Sequence, residues 1–491
     1  MRTIELPVWP SAEQLRVPPR VAVFLGSIAA AVGAAGLAAV LVFLGPVPAL
    51  ATLVALVAGT LIAVDARAGL WVVLAIVALL PYAVIPVKVV VTPAILSIAS
   101  LALLTVWLVR LFLDRAMTVP LHPLVLVVVL FAFVTSFAFV LGIGRGYTSQ
   151  VYHDYGKFLL SLALFFVVWS SLRTLADYRR LTVALLLVAS AAALVALVLY
   201  LGGPELTLAV LARLVPYGYP STRIVRYIED DPAKPMRAIG TSVDPNSFAG
   251  LLALALVVAV AQCVARRPVV PRWFAVFAAI VLGPALLLTY SRAGWLGAAF
   301  GIGLVAAARY RWLLVPGGLG LAGMLVLGIG EGFFERLWQG FTVQDRATQM
   351  RLEEYRTALA LLREYPAFGV GFGHAPTVGL WTGVSSIYLL VAERMGLIGL
   401  ATFLVAVFGI GWVGWRTWQR QASDNEWSDL LLGWLGAHGA ALLIGSFDHY
   451  YVNISFPHMV AVFWIVQAVV LRMSMLRSSM RSSAKEWGLQ R

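Results

Sequence analysis

Charge is scarce in this sequence. Only 12% of its 491 residues are charged, 61% are hydrophobic, and the mean hydropathy is +0.91. That balance excludes an ordinary soluble domain. Cysteine is scarcer still. The single Cys263 excludes a disulfide framework and a cysteine metal site, and it reads as a small buried apolar residue. There is no GxxxxGK[ST] loop, no Rossmann fingerprint after a strand, no GxSxG elbow and no HExxH. These absences argue against nucleotide hydrolysis and soluble-type nucleotide-sugar chemistry. The six histidines include no pair at the close helical spacing of a metal site. No 20–50-residue period repeats, which excludes a solenoid, and the halves lack the similarity of an inverted-repeat transporter. No cleavable signal peptide is evident, because the first apolar run is too long and follows a polar start.

Apolar runs long enough to span a bilayer fill most of the chain. Spans are expected near 21–44, 47–64, 69–87, 92–113, 123–143, 157–173, 180–201, 244–265, 272–290, 293–308, 312–329, 386–415, 428–447 and 455–473. The run 386–415 has room for a bent or interfacial piece, so the expected fold is an all-α polytopic membrane protein with 12–14 transmembrane helices. Lys and Arg exceed Asp and Glu by 36 to 23. This excess does not point to nucleic acid, because it collects at alternate turns: Arg67, Arg110, Arg173, Arg179, Arg180, Arg266, Arg267, Arg309, Arg416 and the tail from Arg472. The positive-inside rule then places those turns and both termini in the cytoplasm.

Two long connections break the short-turn pattern, and both fall on the outer side. Residues 1–201 read as an N-terminal scaffold and 202–243 as the first long loop. Central helices follow over 244–329, the second long loop over 330–385, and the last helices with a basic tail over 386–491. Long ordered loops are usually functional. The first holds Arg223, Arg226 and Arg237. The second holds Arg356 and Arg363, seven apart on one helical face of residues 346–364. Apolar Leu352, Tyr355, Leu359 and Leu362 draw a separate stripe on that helix, and Pro366 should end it. A Gly369-Val370-Gly371-Phe372-Gly373 turn and His374 come next.

Arg237 precedes Asp244-Pro245-Asn246, where Asp or Asn caps the helix that begins near Ser247. A guanidinium beside a helix N-terminus makes an anion site. Arg292 lies in Tyr290-Ser291-Arg292, pinched between two apolar segments. Such a charge is expensive and marks either an anionic ligand or a structural ion pair, with Asp244, Glu393 or Asp448 as possible partners. Tyr290, Ser291 and Asn246 would add hydrogen bonds to a ligand. His374 reads either as a general base or as a hydrogen-bonded loop residue. Glu393, next to Arg394 where a helix should break at Gly396, reads either as a structural ion pair or as a second base.

The stretches Arg237-Ala238-Ile239-Gly240, Asp244 to Ala249, Thr289 to Gly294, Tyr355 to Gly373, Ser385 to Leu389 and Glu393 to Gly399 resemble the superfamily of O-antigen ligases and O-antigen polymerases. Their order and topology agree over roughly residues 155–470. The resemblance implies a GT-C-like, metal-independent, inverting glycosyltransferase without a cofactor, working at the outer face of the bacterial inner membrane. The donor would be a glycan on undecaprenyl pyrophosphate. Arg237 and Arg292 would hold the pyrophosphate, Arg223, Arg226, Arg356 and Arg363 would bind acidic groups or a second diphosphate, and a loop histidine would be the acceptor base. Implied partners are a lipid-linked acceptor, membrane lipids and a chain-length regulator protein. Ligases of this superfamily often read His-Asn-x-x-Leu where this chain has Ser385-Ser386, which turns the reading toward a polymerase. Ligase-type transfer to another acceptor, and a secondary transporter or lipid-linked glycan flippase, are the rival readings.

Overall fold

The protein is described from a computed structural model that covers residues 46–86, 92–113, 119–315, 318, 346–373, 383–421 and 425–486. Fourteen α-helices are described: α1 (Pro46–Val64), α2 (Ala66–Leu79), α3 (Ile95–Leu113), α4 (Pro123–Leu141), α5 (Ser149–Ser171), α6 (Leu175–Leu201), α7 (Gly203–Leu211), α8 (Pro245–Val264), α9 (Arg272–Leu288), α10 (Arg292–Ala308), α11 (Arg346–Glu364), α12 (Ile387–Gln421), α13 (Glu426–Ile444) and α14 (Pro457–Glu486). Among the described residues there is no β-strand, only two isolated bridges. Eight of these helices are long and apolar enough to cross a membrane, and α1, α2, α9 and α10 are shorter apolar helices. The expected span 21–44, and 312–329 apart from 312–315 and 318, lie outside the described residues.

Burial divides the helices into a core and a rim. Within the membrane-length windows, 94% of α13, 89% of α14 and 83% of α8 are buried, against 28% of α3. The rim helices instead expose Leu126, Phe133, Leu187, Ile280 and Phe408. A belt of large exposed apolar side chains is costly in water and normal against lipid. The core packs closely because its contact faces are small. An added Cβ on Gly301 of α10 would lie 2.7 Å from the Gly436 carbonyl of α13, and one on Gly297 would lie 2.3 Å from Ile444. Gly297 and Gly301, four apart, therefore let two backbones approach as small residues do in membrane helix pairs.

Polar residues collect at the two ends of the bundle. At one end, Asp177 at the start of α6 accepts from Arg67 at 2.9 Å, and buried Asp429 at the start of α13 pairs with Arg309, the Tyr310 hydroxyl and the backbone N–H of Arg267. The arginines of the alternate turns share this end. The starts of α8, α10, α12 and α14 and the end of α9 form the other end, where α11 also lies.

The helix expected over 346–364 forms with those limits and stops before Pro366. Its buried stripe differs from the expected one. Tyr355 and Leu362 are partly buried, but Leu352 and Leu359 are 37% and 46% exposed, and Ala358 and Leu361 make the tightest contact instead. Next to a bilayer an apolar stripe has two apolar destinations, so its spacing alone does not say which one it faces. The break in the long 387–421 helix falls at Gly396 (φ 65, ψ −167), as its sequence suggests.

Candidate active site

The site grows from three helix ends. Asp244 is the N-cap of α8, and its carboxylate accepts from the Ser247 N–H at 2.6 Å. Asn246 is thereby left to receive Arg237. The Arg237 guanidinium donates to Asn246 Oδ1 and to the Thr289 carbonyl, both at 2.7 Å. The backbone is fastened too: Arg237 N–H donates to the Arg226 carbonyl and Ala238 N–H to Leu288, each at 2.8 Å. A loop arginine is thus pinned across the end of α9 onto the first turn of α8.

Two residues beyond Thr289, Ser291 caps α10, whose first residue is Arg292. The turn between α9 and α10 is strained, because Tyr290 has φ 52, and Val243 before α8 has φ 61. Left-handed backbone at a non-glycine residue costs about 1–3 kcal/mol and gathers at functional sites. Here the two strained residues flank the turns that present Arg237 and Arg292. The Arg292 guanidinium reaches the Thr348 hydroxyl of α11 at 3.4 Å.

Helix α11 runs across this end and adds polar groups from its inner face. Arg351 lies 4.0 Å from the carboxylate of buried Asp448. Burial raises the Asp448 pKa above the usual carboxylate range and nearby Asp244 adds to the rise, while His449 and Arg351 oppose it. The Tyr82 hydroxyl, beside Asp244 and Ser247, is also pushed upward by burial. Glu354 accepts from the Ser385 N–H at 2.9 Å, and the Tyr355 hydroxyl donates to the carbonyls of Ser385 and Ser446 at 3.1 and 3.2 Å. The Ser385-Ser386 position is therefore held against α11, next to the segment that carries Asp448.

The glycine turn after α11 docks on the broken part of α12. Val370 and Gly371 N–H donate to the carbonyls of Glu393 and Arg394 at 2.9 and 3.0 Å, and Leu397 N–H donates back to Pro366 at 2.8 Å. Glu393 is 1% exposed under this turn. One carboxylate oxygen accepts from Gly383 N–H at 2.9 Å, and the other has no hydrogen-bond partner among the described residues. The Arg394 guanidinium lies over the Phe372 ring, 5.5 Å from its centre.

The structure thus brings Arg237, Asn246, Tyr290, Ser291 and Arg292 together at the ends of α8, α9 and α10. Arg223 and Arg226 sit apart, each within 3.4 Å of Asp230 in their own loop. Arg356 and Arg363 are exposed on the outer side of α11, and Glu393 lies behind the glycine turn. His374 lies outside the described residues. Sequence reasoning missed Thr348, Arg351 and the Thr289 carbonyl. Arg351 carried a signal in retrospect, since it lies four residues before Tyr355 and so shares its helical face.

Residues 277–404 match the family described as O-Antigen ligase. The match covers less than half of the chain and takes in Arg292, α11, the glycine turn, Ser385-Ser386 and Glu393. It bears out the resemblance to the O-antigen ligase and polymerase superfamily. No curated protein matches the chain. Members of this superfamily are membrane enzymes of glycosyl transfer, ligases and polymerases. Together with the apolar helices, this supports an integral membrane protein with a glycosyltransferase-like role.

Proposed function

We propose that the protein extends a surface polysaccharide by moving a glycan from undecaprenyl pyrophosphate to a lipid-linked oligosaccharide acceptor at the outer face of the bacterial inner membrane. The observation that carries this reading is the convergence of Arg237 and Arg292 on the strained Thr289–Arg292 turn, between the N-termini of α8 and α10. Guanidiniums and helix N-termini both favour phosphate oxygens. The acceptor hydroxyl attacks the anomeric carbon from the face opposite the pyrophosphate, the new C–O bond forms with inversion, and the bond to the pyrophosphate oxygen breaks. Negative charge grows on that leaving oxygen, where Arg237 and Arg292 stabilise it. The acceptor proton passes to His374 or Glu393. Asn246, Tyr290 and Ser291 orient the diphosphate. A polymerase is favoured over a ligase by Ser385-Ser386, which fills the usual histidine position and whose backbone is held by Glu354 and Tyr355.

The test is incubation of purified protein with a defined lipid-pyrophosphate oligosaccharide, read by gel and mass spectrometry. A ladder spaced by whole repeats is expected. Product only after a different acceptor lipid is added would make it a ligase, and glycan-lipid flux across proteoliposomes without change in length would make it a transporter. With a ladder in hand, His374→Ala and Glu393→Gln decide between the two proton acceptors.

A further inference from the structure

Leu352, Arg356, Leu359 and Arg363 follow one another at spacings of four, three and four, so they share one face of α11. All four are exposed. The far side carries the buried Ala358 and Leu361, and the hydrogen-bonded Tyr355 lies on the flank between them and the leucines. Neither Arg356 nor Arg363 forms an ion pair among the described residues. Leucines interleaved with arginines on one exposed face are the composition of a helix that lies at a lipid interface.

The position of α11 fixes what this face meets. Near its start, Thr348 touches Arg292, the first residue of the apolar helix α10, which packs along the spanning helices α8 and α13. Beyond its end, the Phe368 ring lies 4.8 Å from Phe137 in the last turns of spanning helix α4, and Gly371 packs on Gly142 just past that helix. A 19-residue helix is about 28 Å long. It therefore runs from the end of one span to the end of another, at the depth where spans give way to headgroups.

We propose that this face of α11 seats on an anionic lipid surface, with Leu352 and Leu359 among the upper acyl carbons and Arg356 and Arg363 on lipid phosphates. Long basic side chains in such a face keep their stems in the apolar layer and their charges at the phosphate level. The same helix holds Thr348 to Arg292 at its start and Arg351 near Asp448 on its inner side, so seating on lipid would also fix these polar groups of the candidate site. The inference reassigns Arg356 and Arg363 from a substrate diphosphate to the bilayer.

The experiment places an environment-sensitive nitrobenzoxadiazole label at Leu359→Cys in a Cys263→Ala background, in full-length protein in nanodiscs of phosphatidylcholine with or without phosphatidylglycerol. Ser221→Cys, on an exposed loop, is the aqueous reference. The expected result is quenching by shallow doxyl-lipids and iodide access at least threefold below that at Ser221, both strengthened by phosphatidylglycerol. Arg356→Gln with Arg363→Gln should abolish the phosphatidylglycerol effect, and the paired Lys substitutions should keep it. Iodide access equal to that at Ser221 overturns the proposal. So does a label indifferent to phosphatidylglycerol while the Gln pair weakens binding of polyprenyl pyrophosphate in neutral nanodiscs, since the arginines would then belong to a substrate. Neither outcome depends on the polymerase reading.

Discussion

Removing the Arg237 side chain deletes two hydrogen bonds, to the Thr289 carbonyl and to Asn246, as well as one positive charge. A preorganised donor at a developing anion is worth about 10²–10³ in kcat. Arg237→Ala and Arg292→Ala should each lower the rate of repeat addition by about that factor at saturating donor. Lys at either position should recover only part of the loss, because an ammonium lacks the planar fork that grips two phosphate oxygens. Full chain extension by either Ala variant would remove the pyrophosphate site. Asp448 allows a second prediction at this scale. Its folded-state pKa is raised by burial above the unfolded value, so its contribution to stability is intact below the ordinary carboxylate range and is lost as pH climbs through the raised value. Thermal melts of the wild type in detergent should therefore show a stability loss on that rise which Asp448→Asn lacks. An identical pH dependence in the two proteins would mean that Asp448 ionises as it does in the unfolded chain.

The element that depends most on local backbone is the joint between the glycine turn and α12. Gly396 has φ 65 and ψ −167, a region open only to glycine, and an added Cβ would lie 2.3 Å from the Ala367 carbonyl. Gly369, facing it, would place a Cβ 2.4 Å from the Glu393 carbonyl. Gly396→Ala thus combines backbone strain with a clash that no rotamer relieves. It should cost about 2–4 kcal/mol and free the turn. Limited trypsin digestion should then cut faster at Arg363, and unchanged cleavage with an unchanged melt would contradict the docked joint. This joint was legible in outline, since Pro366 ends α11 and Gly396 breaks α12, whereas the sequence left the cap of α8 open between Asp244 and Asn246 and the structure gives it to Asp244. The partner of each arginine was not. Arg237 finds Thr289 across 52 positions and Arg351 lies near Asp448 across 97, pairings that packing creates and that no local spacing encodes. The stripe through Leu352 and Leu359 was visible as a period, but a period does not distinguish a core from a bilayer.

Across the whole molecule, the charges sort into two ends with different chemistry. One end pairs its buried acids with arginines, Asp177 with Arg67 and Asp429 with Arg309, which fixes the helix ends there. The other end holds Arg237 on Asn246 and the Thr289 carbonyl, beside the N-termini of α8 and α10, and both features favour an anion. In the orientation proposed from the positive-inside rule, the first end lies in the cytoplasm and the second outside. Ser221→Cys and Arg311→Cys, exposed at opposite ends, test this in the Cys263→Ala background. A membrane-impermeant maleimide should label Ser221→Cys in spheroplasts at once and Arg311→Cys only after permeabilisation. The reverse pattern would turn Arg237 and Arg292 toward the cytoplasm, and a donor presented on the outer leaflet could not reach them. The same chemistry would then have to act on carriers loaded at the inner leaflet, before any flipping step.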